Sequence, residues 1–240
     1  MDLVGPLPVI NLARKMGISS YLPAVPSIAL GTPDISLFEM VGAYSTFVNQ
    51  GIYVKPIMST RIEDKNGRAL YEVMAETQDV LSEEAAYVTV NLMQGVTTEG
   101  SGARLRHAGL EKTNYIYEKV VTGYPYIFEN SIVGKTGTTQ NQSDGWFMGM
   151  VPNLSTGVWV GGEDRAIHFE TIGYGQGATM ALPIWGNYMR TLYENPEFGI
   201  SQEDFVAPEN LSISVDCEEL VDLESKEKPK LKTDLEALGF

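Results

Sequence analysis

Three short apolar runs stand close together in the second half of the chain: residues 132–138, 146–151 and 157–160. Only polar or proline-containing turns separate them, at 139–145 and at Pro152-Asn153-Leu154-Ser155. Strands joined this closely can pair only as antiparallel neighbours, because a parallel crossover needs a dozen or more residues. The spacing therefore predicts an antiparallel meander. Residues before and after it read as helices, and helices packed with one antiparallel sheet make an α+β domain.

Upstream, a short helix is expected over Pro6–Met16, with Val9, Leu12 and Ala13 on one face and Gly17 at its end. Ser36 followed three residues later by Glu39 is a capping-box pattern. Leu37, Met40, Val41, Tyr44, Phe47 and Val48 then recur at helical spacing, with Gly51 as the stop. Asn66-Gly67 between apolar segments predicts a hairpin over 57–74. Ser82-Glu83-Glu84 opens another helix whose stripe reads as Ala85, Val88, Leu92 and Val96, ending before Thr97. Residues 103–130 show no sustained period, and the aromatics at 115, 117, 124, 126 and 128 predict an ordered surface insertion. After glycines 173, 175 and 177, Pro183 starts a last helix through Ile184, Tyr188, Met189 and Leu192.

Charge and composition remove several functions. The net charge of −14 argues against nucleic acid, whose phosphates require clustered Lys and Arg. The single cysteine, Cys217, forbids an internal disulfide, and His107 and His168 stand far apart without neighbouring thiols, so neither a metal nor a cofactor is expected. No run approaches the ~18 apolar residues that would span a bilayer, and the first residues lack the pattern of a signal peptide. Residues 201–240 hold 11 acidic and 4 basic side chains, half the net charge of the whole chain, and read as a solvated extension after a domain over 1–200.

One motif carries chemistry. Lys135-Thr136-Gly137-Thr138-Thr139 ends the first meander strand. Lys135 offers a cation, Thr136 and Thr138 offer hydroxyls, and Gly137 lets another backbone approach. Such an edge can hold an extended peptide as an added strand, with its carboxylate at the Lys and Thr groups. By itself the triplet also fits a surface lysine before a turn. Trp146, alternating with Met148 and Met150, reads as core.

The text around the triplet is more specific. Gly134 to Thr139, Ser143-Asp144-Gly145-Trp146-Phe147 and Gly157-Val158-Trp159-Val160-Gly161 resemble the transpeptidase domain of class A penicillin-binding proteins. So do Pro26 to Gly31, Ser36 to Met40, Ala43 to Gly51, and Ala181-Leu182-Pro183-Ile184-Trp185. The resemblance covers roughly residues 3–195 and implies a partial penicillin-binding-protein fold of the serine β-lactamase-like type. It also implies that Lys135 sets the electrostatics beside the serine of a Ser-x-Asn motif and that Thr136 and Thr138 bind a donor carboxylate. The Thr138 N–H would supply an oxyanion donor, and Gly137 and Thr139 would shape the strand edge.

The family's Ser-x-x-Lys should come before Gly5-Pro6, where only four residues stand. The sole match, Ser225-Lys226-Glu227-Lys228, lies in the charged tail and is rejected as a nucleophile; Ser-x-Asn does not occur. Tyr193-Glu194-Asn195 imitates a variant of the latter but follows Lys-Thr-Gly. The resemblance thus implies the C-terminal part of an enzyme that crosslinks peptidoglycan stem peptides ending in D-Ala-D-Ala outside the inner membrane. Its implied partners are stem peptides, β-lactams and the N-terminal part of the same enzyme. Two other readings are a non-catalytic module for binding or interaction, and a hydrolytic relative. The helix signature at 36–51 and the Thr138-Thr139 pair point away from the hydrolase.

Overall fold

The computed structural model describes residues 4–106 and 126–215. The chain divides into a unit over Met1–Ala207 and a second over Pro208–Phe240, of which the described part, 208–215, is irregular. The first unit runs past the expected boundary at 200. Ser201 donates its N–H to Asn153 Oδ1 at 2.8 Å, Ser131 bonds the Asp204 carboxylate, and Phe205 packs on Val90, Val133 and Met150. Ser225, Cys217 and His107 lie outside the described residues, as do Tyr115, Tyr117 and Tyr124 of the expected insertion.

The N-terminal half is helical around one ribbon. Helix α1 (Pro6–Lys15) opens with Pro at its first turn, and a 3₁₀ segment follows at Pro26–Leu30. Helix α2 (Leu37–Val48) carries the capping box in full: Ser36 Oγ accepts from the Glu39 N–H at 3.2 Å and the Glu39 carboxylate accepts from the Ser36 N–H at 3.3 Å. The same carboxylate reaches back to an earlier segment. It accepts the N–H and hydroxyl of Ser19 at 2.7 and 2.6 Å, and those of Ser20 at 2.9 and 2.5 Å. Partial burial raises the Glu39 carboxyl, but these bonds outweigh it and hold the group well below the ordinary carboxylate range. The helix ends with Gln50 left-handed at φ 56° and the Gly51 N–H bonded to the Thr46 carbonyl at 2.8 Å. That is the longer of the two bonds of a Schellman closure, with Gln50 taking the position usually left to glycine.

Strands β1 (Ile52–Val54), β2 (Arg61–Glu63), β3 (Ala69–Glu72) and β4 (Thr77–Asp79) form the ribbon, β1 pairing with β4 at its base and β2 with β3 at its tip. The expected hairpin is present, with shorter strands and a bulge between Ile62 and Glu63. Helix α3 (Glu83–Thr98) begins at Ser82 as read, but its buried stripe is displaced by one position. Ala86, Val90 and Thr97 are buried, whereas Leu92 is 71% exposed. The apolar pattern misses this because a threonine holds the last inward position: Thr97 Oγ1 donates to the Ile132 carbonyl at 2.5 Å and anchors the helix to the sheet.

The meander is formed as expected, by β5 (Val133–Thr138), β6 (Asp144–Val151) and β7 (Leu154–Gly161), in that spatial order and antiparallel throughout. Helices cover both of its faces. Val133 and Met150 meet Val90 of α3 on one side. On the other, Phe147 and Val151 meet Trp185 of helix α6 (Leu182–Tyr193). Gly149 permits that packing, since a Cβ there would lie 2.4 Å from the indole ring. Tyr126 and Phe128, read as part of a surface insertion, are instead buried against Trp185, Met189 and Leu105. Trp146, read as core, is half-buried beside Trp159, their ring centroids 6.5 Å apart.

Candidate active site

The site is the end of β5 that lies on the open edge of the sheet. Side chains alternate along a strand, so Lys135 and Gly137 face one side and Thr136 and Thr138 the other. They converge because β5 pairs only with β6 among the described residues. At the end of the pair, the Thr139 N–H donates to the Asp144 carbonyl at 3.1 Å. In an antiparallel ladder every second residue points its N–H and C=O at the partner. With 139 directed inward, 137 and 135 are too, and the backbone groups of Thr136 and Thr138 point outward. Lys135 is exposed and curls over this edge, its Nζ donating to the Thr136 carbonyl at 2.7 Å.

Each threonine hydroxyl has a partner from a different part of the chain. Thr136 Oγ1 lies 2.6 Å from Ser101 Oγ, in the turn after α3. Thr138 Oγ1 accepts the N–H of Gly177 at 3.0 Å. Gly177 opens α5 (Gly177–Met180), which follows the turn α4 (Ile172–Gly175). Glycine is required there: a Cβ would lie 2.2 Å from the Gly137 carbonyl oxygen. Thr139 is used inside the β5–β6 turn, where its hydroxyl lies 2.9 Å from Ser143 Oγ and accepts the Asp144 N–H at 3.0 Å. Asp144 itself is buried, and its Oδ1 has no hydrogen-bond partner among the described residues.

Thus Lys135, Thr136, Gly137 and Thr138 share one edge, while Thr139 fixes its end. Ser101 and Gly177 were not singled out from the sequence; the only signals were glycines on either side of Ser101 and a glycine-rich stretch around 177. Tyr193 lies elsewhere, its hydroxyl accepting from Asn130 Nδ2 at 2.9 Å and its ring meeting Phe128 edge-on at 5.5 Å. An apolar groove of about 630 Å³ between α2, β1 and the β6–β7 turn lies at the opposite end of the sheet and gathers little polar chemistry. Among the described residues no group of His, Cys, Asp and Glu could hold a metal, and no helix is long and apolar enough to cross a membrane.

Residues 19–163 match the penicillin binding protein transpeptidase domain. The chain is 30% identical over 225 residues to penicillin-binding protein 1A of Aquifex aeolicus, covering 92% of this chain and 27% of that protein. It is 31% identical over 181 residues to penicillin-binding protein 2D of Bacillus subtilis, covering 75% and 24%. It therefore spans about a quarter of the length of these curated relatives. Among solved structures, penicillin-binding protein PonA1 of Mycobacterium tuberculosis superposes with a TM-score of 0.64 at 23% identity, over 86% of this chain and 53% of that one. Penicillin-binding protein 1A of Haemophilus influenzae does so with a TM-score of 0.63 at 21% identity, over 82% and 31%. The α+β fold is theirs. Matched over more than half its length, the chain belongs to the penicillin-binding protein transpeptidase family, with relatives among the class A, 1A-like proteins.

Proposed function

We propose that this chain supplies the Lys-Thr-Gly strand of a D,D-transpeptidase that crosslinks peptidoglycan stem peptides outside the inner membrane, and that its open edge receives the carboxylate end of the donor. The observation that carries this reading is the joint presentation of the Lys135 ammonium, the Thr136 and Thr138 hydroxyls and an outward Thr138 N–H on one strand edge that has no partner strand among the described residues. An extended peptide docks on such an edge by main-chain hydrogen bonds, and charge-assisted bonds hold its carboxylate. The Thr138 N–H then faces the scissile carbonyl; one preorganised donor of this kind is worth ~2.7–4 kcal/mol in the transition state. Gly137 keeps the strand flat enough for close approach, and Thr139 holds the turn beyond it.

The acylated serine and its lysine belong to a Ser-x-x-Lys element that the chain does not contain outside the rejected match at Ser225. In this reading the chain by itself binds without reacting. β-Lactams carry the same carboxylate and a strained acyl group, and a solved PonA1 structure is a complex with penicillin V; penicillins are accordingly the probes of choice. Titrating benzylpenicillin and N-acyl-D-Ala-D-Ala into the ¹⁵N-labelled chain is expected to shift the amides of Lys135 to Thr139 in the millimolar range, with no covalent adduct by mass spectrometry. Unmoved amides would reject the site, and a stoichiometric acyl adduct on any serine would reject the division of labour.

A further inference from the structure

Two turns distant in sequence hold the threonine hydroxyls of the site, and one buried cation joins them. Arg104 sits in the 3₁₀ turn Ala103–Leu105, directly after the turn that presents Ser101, and is only 7% exposed. Its Nη1 donates to the Ala178 carbonyl at 3.0 Å and to Thr179 Oγ1 at 2.9 Å. The Thr179 hydroxyl passes the connection on, donating to the Gly173 carbonyl at 3.2 Å. Helix α5, with four residues, is too short to hold its own shape, so tertiary contacts fix the direction of the Gly177 N–H. Burying a guanidinium is costly unless its donors are met, and here Nη1 is met twice on the element that carries Gly177.

Arg106 provides the contrast. It donates to the carbonyls of Thr97 at 3.1 Å and Asn130 at 2.9 Å, tying the end of α3 to the segment that leads into β5. It has no bond to α5. Two neighbouring arginines therefore have separate duties, and Arg104 is the one bonded to α5.

We propose that Arg104 is a positioning residue of this site: it locks the Ser101 turn to α5, so that Ser101 and Gly177 aim the Thr136 and Thr138 hydroxyls at the open strand edge. A hydroxyl has one proton to donate and two acceptor positions. The Gly177 N–H fills an acceptor position on Thr138, which leaves the Thr138 proton to bond an anionic oxygen. Ser101 does the same for Thr136 when it is the donor of that pair. The identity of the anion rests on the function proposed above; the positioning does not.

The test uses the whole 240-residue chain, with Arg104→Met, Arg104→Lys and Thr179→Val. Amide exchange, threonine methyl shifts and the affinity for acetate are read by NMR. Arg104→Met is expected to speed exchange of the Gly177 N–H about tenfold, the loss of roughly one hydrogen bond, and to move the Thr136 and Thr138 methyls. Amides of Val133 and Met150, deep in the sheet, should keep their protection, and acetate should bind about threefold more weakly. Arg104→Lys should recover part of each change. An Arg104→Met chain with an intact sheet and unchanged Gly177 and threonine signals would overturn the proposal. If that variant loses the sheet itself, Thr179→Val decides, because it removes one acceptor and leaves the guanidinium in place. The same local changes then support the proposal, and their absence overturns it. Failure of the unaltered chain to bind benzylpenicillin would reject the proposed function alone, since the Gly177 exchange does not depend on it.

Discussion

The two hairpins β2–β3 and β5–β6 are both antiparallel and closed by short polar turns, yet they meet opposite surroundings. Every residue of β2 and β3 is exposed, and an Arg61–Glu63 ion pair at 2.6 Å is typical of its contacts. In β6 all residues but Trp146 are buried, with α3 and α6 covering the two faces of the sheet. The ribbon is held by its turn, where Asp64 Oδ1 accepts the N–H groups of Asn66 at 2.8 Å and Arg68 at 3.0 Å. The sheet is held by its packing. Turn chemistry fixes which residues pair, and only cover on both faces makes a strand rigid enough to present a lysine and two threonines in a set geometry.

That contrast can be broken experimentally. Its largest consequence is at Trp185, which is fully buried on Phe147 and donates its indole N–H to Thr156 Oγ1 at 2.6 Å. Trp185→Ala is expected to lower unfolding stability by ~3–5 kcal/mol in a urea titration. Next comes the end of the first unit. A chain ending after Ala207 should keep the cooperative transition, whereas one ending after Ile200 loses Phe205 and should be weaker by ~1–2 kcal/mol. Equal stability of the two would return residues 201–207 to the solvated extension.

Glu39 gives a pH-dependent test. Its carboxyl is depressed in the folded chain, so the stability it contributes is present above its unfolded value of ~4.3 and is lost as pH falls below it. Thermal midpoints of Glu39→Gln should lie below wild type at pH 7, and the gap should narrow steadily as pH falls from about 5 to about 3. Parallel curves across that range would remove Glu39 from the account. The smallest effect belongs to the ribbon: Leu70 in β3 is exposed, and Leu70→Ala should change stability by less than ~0.5 kcal/mol. A change as large as that of Trp185→Ala would erase the difference between the hairpins.

What could be read from the sequence follows the range of the contacts. The capping box of α2, the Asn66-Gly67 turn and the meander depend on residues a few positions apart, and all three are present as read. Glu39 has a second role, tying Ser19 and Ser20, that spans 20 residues and leaves no local pattern. The stripe of α3 was misplaced because a buried polar group, Thr97, holds the position that hydrophobicity assigns elsewhere. The site divides in the same manner. Lys135 to Thr139 is contiguous and legible, whereas Ser101 and Gly177 reach it across 35 and 39 residues of chain, and Arg104 reaches Ala178, beside Gly177, across 74. Tyr126 and Phe128 read as surface residues for a different reason, since lone aromatics without a period do not reveal which surface will cover them.

Lys135 is exposed, and its only hydrogen bond among the described residues is to the carbonyl beside it, so its charge is available to a ligand rather than to the fold. The most direct measurement is a paired one on Lys135→Ala: the melting temperature, and the dissociation constant for benzylpenicillin from amide shifts at Thr136 to Thr138. The melting temperature is expected to stay within the change of a surface substitution, about 0.5 kcal/mol. The affinity should fall by roughly 10- to 100-fold, the loss of one charge-assisted hydrogen bond. Unchanged affinity in a folded Lys135→Ala chain would contradict the assignment of this strand edge as the carboxylate site.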